Sequence, residues 1–273
     1  MSATKTWFIT GCSSGFGRAL AEAALAAGHR VIATARDLRR IADLERLETC
    51  RLLPLDLTDA ATIRHAVAEA GRFDVLVNNA GSGLLGAAEE CADDQIRRNM
   101  ETNFFGPLNL IRASLPMFRD QKCGHIINFS AAAAISNYPG FGIYGGAKAA
   151  LEFVSESLRL ELAPLGIRVT IVEPGPFRTD FISRSLESAR ERLPDYDTTS
   201  GAFRRLVESM NGRQPGDPAR AAEAILALVN SESPPLRLAL GRYAIKKTRD
   251  KAAALLRDAE ASERIAGNLD FPR

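Results

Sequence analysis

The chain has 273 residues and a formal net charge of +2, from 35 basic and 33 acidic side chains. This balance excludes the strong positive field of proteins that bind nucleic acid or anionic membranes, so we expect a small-molecule partner. Four cysteines without CxxC spacing and only three histidines argue against a zinc site and a disulfide framework. The N-terminus lacks a basic-then-apolar leader and no apolar run reaches the ~18 residues that cross a bilayer, so a cytoplasmic protein is expected.

Short apolar runs alternate with longer amphipathic segments along the chain. In order, the runs are TWFIT, RVIATA, RLLPLD, DVLVNN, HIINFS, IRVTIVEP and LRLAL. Such alternation indicates βαβ units, and runs without period-two alternation suit strands that are buried on both faces. We therefore predict one α/β domain over residues 1–273, built on a doubly wound, mainly parallel sheet with helices on both faces.

A glycine-rich turn follows the first predicted strand. The segment TGCSSGFG places Gly11, Gly15 and Gly17 before the first helix, with Ser13 and Ser14 as hydroxyl donors. Glycines permit a tight turn and close backbone approach, and a helix N-terminus offers free N–H groups to a pyrophosphate. The spacing GxxxGxG differs from the GxGxxG fingerprint, and an ordinary capping turn is the alternative. The position after the first strand favours a phosphate site.

A tyrosine and a lysine lie four residues apart in YGGAK, at Tyr144 and Lys148. Side chains at this spacing share one helix face. An ammonium beside a phenol lowers the pKa of the phenol, which would make Tyr144 a proton donor or acceptor near neutral pH. The alternative is a packed ring beside a solvated charge.

Five motifs occur in a fixed order: TGCSSGFG at 10–17, NNAG at 78–81, the asparagine of ETNFFG at Asn103, YGGAK at 144–148 and PGPFRT at 174–179. Together they resemble the short-chain dehydrogenase/reductase family, over most of residues 5–240. The resemblance implies a Rossmann-like fold, NAD or NADP as hydride carrier, and a reaction at a carbonyl or secondary alcohol carbon. It also implies a homodimer or homotetramer, built on the helices that carry Asn103 and Tyr144.

The resemblance also implies roles for individual residues. Tyr144 would exchange the substrate proton, Lys148 would bind the nicotinamide ribose and keep the tyrosine acidic, and Asn103 would order a water. Asp56 resembles the family's adenine contact, although an aspartate there could equally cap the next helix. The implied cofactor contacts are Gly11, Ser13, Ser14, Gly15, Phe16, Gly17, Arg36, Asp56, Leu57, Asn79, Ala80, Gly81, Tyr144, Lys148, Pro174, Gly175, Phe177 and Thr179.

The end of the second strand, VIATARD, bears on the choice of cofactor. An acidic side chain at this point binds the ribose 2′-hydroxyl of NAD, whereas a nearby arginine accommodates the 2′-phosphate of NADP. Ala35 occupies the usual acidic position, Arg36 follows it, and Asp37 lies one residue too far along. We therefore predict NADP(H) in preference to NAD(H). The alternative is that Arg36 pairs with Asp37 in solvent.

One expected side chain is missing. The family's catalytic serine lies thirteen residues before the tyrosine, and that position is Ala131. Ser130 would point to the opposite face of its strand. Losing one donor of this kind costs about 10²–10³ in rate, so a slow carbonyl reductase is predicted. Three explanations stay open: Ser136 or the substrate supplies the hydrogen bond, alanine was deliberately introduced in place of serine, or the chemistry does not need it.

Two segments depart from the βαβ pattern. Residues 177–216 mix charge, proline, glycine and aromatics, and form either a substrate-covering insertion or a surface excursion. Residues 242–273 form a helical tail, either solvated or packed on another subunit. Aromatics near the strand ends suit an apolar ketone or alcohol, or serve as core packing: Tyr138, Phe141, Phe177, Phe181 and Phe203.

The function hypotheses divide into an enzyme and a binding protein. The first is an NADP-dependent oxidoreductase, weakened by Ala131. The alternatives are an NADP(H)-binding scaffold or regulator, and a related enzyme that catalyses a reaction at a centre other than a carbonyl, such as imine reduction or a rearrangement.

Overall fold

A computed structural model describes residues 3–46 and 48–271, except the side chain of residue 46. All seven predicted strands form one parallel sheet, in the order β3-β2-β1-β4-β6-β7-β9, which confirms the predicted fold class. The strands are β1 Thr6–Ile9, β2 Arg30–Ala35, β3 Cys50–Pro54, β4 Val75–Asn78, β5 Gly83–Leu85, β6 Gly124–Phe129, β7 Ile167–Pro174, β8 Leu186–Ser188 and β9 Arg237–Leu240. Strands β5 and β8 pair separately, in parallel, and were not anticipated from the sequence.

Helices cover both faces of the sheet. They are α1 Gly15–Ala26, α2 Ala60–Ala70, α3 Asp93–Met100, α4 Gly106–Gln121, α5 Ala132–Ile135, α6 Gly142–Leu162, α7 Ala202–Ser209, α8 Pro218–Asn230 and α9 Gly241–Ala266. Successive strand residues alternate between two cores: Trp7 and Ile9 pack with α1 and α8, whereas Phe8 packs with α2, α4 and α6. Because both faces are buried, the strands are apolar throughout rather than alternating.

The strand order places a crevice at the carboxyl edge of the sheet. From β1 the chain moves outward through β2 and β3, then returns to the other side of β1 to form β4. At such a reversal the connections diverge, and ligands of open α/β sheets bind there. The glycine-rich turn after β1 and the NNAG segment after β4 therefore lie side by side.

The two segments that depart from the βαβ pattern contain regular secondary structure. Residues 177–216 contain a π-helical turn at Phe181–Ser185, strand β8, a second π-helical turn at Asp197–Gly201 and helix α7. The tail is helix α9; residues 1–2 and 272–273 of the predicted ranges lie outside the described residues. Over 3–46 and 48–271, none of the helices combines the length and apolar character needed to span a bilayer.

Candidate active site

A single cleft of about 1100 Å³ runs along the carboxyl edge of the sheet. Pockets that hold one drug-sized ligand measure about 300–1,000 Å³, so this cleft has room for a cofactor and a substrate together. One half is lined by the glycine-rich turn and the ends of β2 and β4, and the other by aromatic and aliphatic side chains of α6 and residues 177–216. Tyr144 and Lys148 belong to the same lining.

The glycine-rich turn fits a pyrophosphate. Gly11 and Gly15 have φ of +73° and +58°, a region that favours glycine. A Cβ on Gly17 would lie 2.5 Å from Asn79 Nδ2 and from Gly11 O, so the turn and helix can close only around glycine. Among the described side chains none caps the N-terminus of α1, and its first turn carries no acidic residue. The N–H groups and the positive end of the helix dipole are therefore available to an anion.

Thr10 joins the glycine-rich turn to the NNAG segment. Its Oγ1 accepts hydrogen bonds from the backbone N–H groups of Asn79 and Ala80, both at 2.9 Å, and donates to Val77 O at 3.1 Å. Asn79 Nδ2 in turn donates to Thr10 O at 2.8 Å. These hydrogen bonds join the floor of the cleft below the glycine-rich turn into one unit, formed by residues almost 70 positions apart. We call this half of the cleft, lined by the glycine-rich turn and the ends of β2 and β4, the cofactor half.

Arg36 lines the cleft at the end of β2. The alternative of an Arg36–Asp37 pair is not found, because Asp37 binds Arg39 through two contacts of 2.9 Å. Among the described residues, Arg36 forms no ion pair. Asp56 also lines the cleft; its carboxylate accepts from Thr58, while Asp59 caps α2.

Tyr144 and Lys148 are buried on one face of α6, as their spacing predicts. Lys148 Nζ donates to Phe129 O at 2.9 Å. Burial lowers the pKa of Lys148 to about 8, and the charge of Glu152 opposes that fall. The expected lowering of the phenol pKa is not found: burial raises the pKa of Tyr144, because the ammonium is directed at a carbonyl while the phenol is enclosed by apolar neighbours.

Asn103 lies behind the cleft lining, fully buried in the π-helical turn Glu101–Phe105. Its Nδ2 donates to Ser82 O at 2.7 Å and to Asn99 O at 2.9 Å, and its Oδ1 accepts from Ser82 N at 3.3 Å. A Cβ on Gly81 would lie 2.8 Å from Asn103 Oδ1 and 3.2 Å from Lys148 Nζ. The two side chains therefore converge on Gly81, as the motif order alone could not show.

The serine position is occupied by a methyl group that faces the cleft. Ala131 packs in a cluster with Tyr144, Phe141 and Leu85. Ser130 also borders the cleft, but its Oγ donates its proton to the buried Glu152. Ser136 lies outside the cleft lining. The predicted opposite orientation of Ser130 therefore holds. Ser136 is not placed to supply the missing hydrogen bond, so under the first explanation the substrate would have to supply it.

All five aromatics singled out from the sequence line the cleft, and four of them, Tyr138, Phe141, Phe181 and Phe203, form the apolar wall of its second half. Tyr138 stacks on Phe203 at 5.0 Å, whereas Phe177 packs on Phe16 at 5.0 Å, beside the glycine-rich turn. Tyr243 of α9 was missed: its hydroxyl lies 2.6 Å from that of Tyr138. The charged pattern of α9 gives no sign that one of its side chains reaches the cleft.

Nearly all predicted cofactor contacts share this cleft. The described lining includes every one of them except Gly17, which lies beneath the turn. Pro174 ends β7, and Gly175, Phe177 and Thr179 follow it, with Phe177 and Thr179 next to the glycine-rich turn. The contacts come from the ends of five strands and from helix α6, and the parallel sheet brings them together.

A sequence profile described as short chain dehydrogenase matches residues 5–190. A short-chain dehydrogenase from Streptomyces avermitilis has the same fold, with a TM-score of 0.91, 41% identity, and coverage of 98% of this chain and 100% of that one. The chain therefore belongs to the short-chain dehydrogenase/reductase family and is an oxidoreductase with a Rossmann-like fold.

Two further relatives carry information on ligands. The 3-ketodihydrosphingosine reductase of Bacteroides thetaiotaomicron is 36% identical over 238 residues, which cover 85% of this chain and 86% of that protein. A short chain dehydrogenase from Burkholderia cenocepacia, solved in complex with NADP, has a TM-score of 0.74 and 26% identity, with 98% of both chains covered.

Proposed function

We propose that this protein is an NADP(H)-dependent oxidoreductase that transfers a hydride between the nicotinamide and a carbonyl or secondary alcohol carbon of an apolar small molecule. The observation that carries the proposal is the position of Tyr144. It lines one continuous cleft together with an anion-binding glycine turn and an aromatic wall. When bound, the cofactor supplies or accepts the hydride, and the protein orients the reactants.

Different residues of the cofactor half would bind different parts of the cofactor. The N–H groups at the start of α1 would hold the pyrophosphate, and Asp56 would approach the adenine end. Lys148 would hold the nicotinamide ribose. Phe177, packed on Phe16, and Thr179 would border the nicotinamide end.

Tyr144 would hold the proton at its phenolic oxygen. Because burial raises its pKa, the phenol is protonated at neutral pH in the ligand-free protein. A protonated phenol can donate to the oxygen of a carbonyl as negative charge develops there. This supports Tyr144 as the proton donor when a ketone is reduced. Asn103, engaged with Ser82 and Asn99, would position the π-helical turn beside Lys148 and order a water there.

The substrate half supports an apolar or aromatic ketone. Its buried members are aliphatic and aromatic, with Leu85, Phe141 and Val207 around Tyr144. Residues Phe181, Ile182 and Met210 of the 177–216 segment complete the wall, so this segment would cover the substrate. A relative whose name specifies a 3-keto substrate agrees with this class of compound.

The methyl of Ala131 favours a second candidate, an NADP(H)-binding scaffold that has lost efficient chemistry, or an enzyme acting on a centre that needs no serine donor. Calorimetry with NADPH, followed by assays on panels of ketones and imines, distinguishes the candidates. Tight binding without turnover on any ketone would exclude the leading proposal.

We also propose a cytoplasmic homodimer or homotetramer. Phe153 and Leu160 on α6 are 72% and 77% exposed, and Phe105 before α4 is 43% exposed. Large apolar side chains grouped on neighbouring helices mark interaction surfaces. Sedimentation equilibrium at micromolar protein should give at least twice the monomer mass of 29.5 kDa, and a monomer would contradict the proposal.

Replacing Arg36 tests the cofactor preference. We expect Arg36→Leu to weaken binding of NADPH by about 10- to 100-fold, the loss of one charge-assisted contact, while the Kd for NADH changes less than about twofold. Titration calorimetry measures both. Arg39→Leu is the matched control, because that side chain is 90% exposed and already bound to Asp37. Equal losses for NADPH and NADH would contradict the role of Arg36.

A further inference from the structure

A buried network of charged side chains continues from the proposed active site into the protein. On α6 the row that begins with Tyr144 and Lys148 extends to Glu152 and Glu156, each four residues further on. Side chains at this spacing share a face of the helix. Glu152 is 6% exposed, so its carboxylate lies inside the protein one turn beyond Lys148.

Glu152 is held at both of its oxygens. Ser130 donates its hydroxyl proton to Oε1, and Arg237 Nη2 lies 3.4 Å from Oε2. Arg237 also contacts Glu156 Oε1 at 2.5 Å and Glu173 Oε1 at 3.1 Å. One guanidinium is therefore shared by three carboxylates, contributed by α6 and β7.

The ammonium of Lys148 is costly to keep charged where it lies. It is 4% exposed, and burial of a cation lowers its pKa. The groups that act on it or lie near it are Phe129 O, its hydrogen-bond acceptor, Gly81, which Asn103 also approaches, and the carboxylate of Glu152. Glu152 is the charged neighbour that acts on the ammonium, and it favours the protonated form.

The ionised state of Glu152 itself depends on its partners. Burial raises its pKa, and the hydrogen bond from Ser130 and the charge of Arg237 oppose that rise, whereas Glu156 adds to it. For Glu173, burial and repulsion by Glu152 raise the pKa to about 7, even though Arg237 donates to Oε1 and opposes the rise. Glu173 Oε2 is moreover buried without a hydrogen-bond partner among the described residues. Ser130 and Arg237 therefore favour the anion on Glu152.

We propose that Glu152 is a positioning residue for the reaction, which acts through Lys148 by keeping its side chain charged, and that Ser130 serves this network instead of the substrate. The inference rests on the proposed function in one respect: the charge of Lys148 affects turnover only if the protein catalyses the proposed reaction. It accounts for Ser130, one residue before Ala131, whose buried hydroxyl is hydrogen-bonded to a carboxylate.

The test compares Glu152→Gln with Glu156→Gln. Both remove a carboxylate that contacts Arg237, but Glu156 is 40% exposed and only Glu152 also acts on Lys148. The proton affinity of Lys148 is read directly in the ligand-free protein, by NMR titration of lysines labelled with ¹³C at Cε, with Lys148→Arg assigning the signal. This readout does not depend on turnover.

In Glu152→Gln we expect the Lys148 midpoint to fall by about half a pH unit or more, because the buried carboxylate one helix turn away favours the protonated ammonium. In Glu156→Gln it should move by less than about 0.3. The alkaline limb of kcat/KM should follow the midpoint to lower pH, because the lysine then loses its proton at lower pH. Equal midpoints in the two variants would overturn the proposal.

Ser130→Ala provides a second route if Glu152→Gln does not fold. Without the hydroxyl, Glu152 binds a proton more readily, so the Lys148 midpoint should fall in the same direction by a smaller amount, and an unchanged midpoint would then overturn the proposal. Failure of this proposal and failure of the proposed function give different results. A wild-type protein that turns over no ketone would contradict the proposed function, whereas the NMR midpoints would still decide the role of Glu152.

Discussion

Tyr144→Phe is expected to lower kcat/KM for the best ketone by about 10³-fold, within the 10²–10⁴ that a positioned acid contributes. The change removes the proton that the substrate oxygen would receive as the carbonyl is reduced. The ring stays in place because its packing partners are apolar: Phe141 and Phe181 have centroids 5.3 and 5.7 Å away. NADPH binding should therefore change less than about twofold, which separates lost chemistry from lost structure.

Tyr138→Phe is the matched control. Tyr138 lines the same cleft, and its hydroxyl lies 2.6 Å from that of Tyr243, so this variant also removes one phenolic hydroxyl from the cleft lining. It should keep kcat within about tenfold of wild type, since the group would contribute binding and not proton transfer. Steady-state assays with NADPH oxidation as signal measure both variants. Equal activities of Tyr144→Phe and wild type would show that another group supplies the proton.

Ala131→Ser is expected to raise kcat by about 10- to 100-fold, somewhat below the 10²–10³ lost when an optimised donor is removed elsewhere. The Cβ of Ala131 already faces the cleft beside Tyr144, so a serine Oγ at this position enters the space where a substrate oxygen would lie. The backbone there is extended, with φ of −161° and ψ of 156°, which serine adopts without strain. The gain should appear in kcat more than in KM, because the donor acts on charge that develops in the transition state.

Ala134→Ser controls for the effect of an added hydroxyl. Ala134 lies in the short helix α5, which begins directly after Ala131, but outside the cleft lining, so this variant should leave kcat unchanged. Stopped-flow assays with saturating NADPH compare the two. If Ala131→Ser binds NADPH normally and is no faster than wild type, the absent serine does not limit the rate, and a reaction that needs no such donor gains support.

Local patterns sufficed to predict the architecture and most of the proposed cofactor half. Seven apolar runs gave seven strands because a sheet buried on both faces selects continuous apolar sequence, a property of each run by itself. The glycine-rich turn could be predicted because the positive φ of Gly11 and Gly15 is a local demand. The shared face of Tyr144 and Lys148 follows from helix geometry alone.

The pKa values and hydrogen-bond partners of those residues depend on neighbours distant in sequence. The sequence suggested an acidic phenol, but enclosure by residues of α6, β5 and the 177–216 segment raises the pKa of Tyr144. The pairing of β5 with β8 and the approach of Tyr243 to Tyr138 join segments about 100 residues apart, and short or charged stretches carry little periodicity that would reveal such contacts.

By itself, then, the amino-acid sequence determined the order of strands and helices along the chain, the glycine-rich turn and the helix face of the tyrosine–lysine pair, because each depends on spacing within one element. Only the tertiary structure decided that Asn103 lies behind the cleft, that Arg36 is left unpaired by Asp37 among the described residues, and that Ser130 bonds Glu152. Burial, charge and hydrogen-bond partners are properties of the assembled sheet and helices, where residues from separate segments share one low-dielectric space.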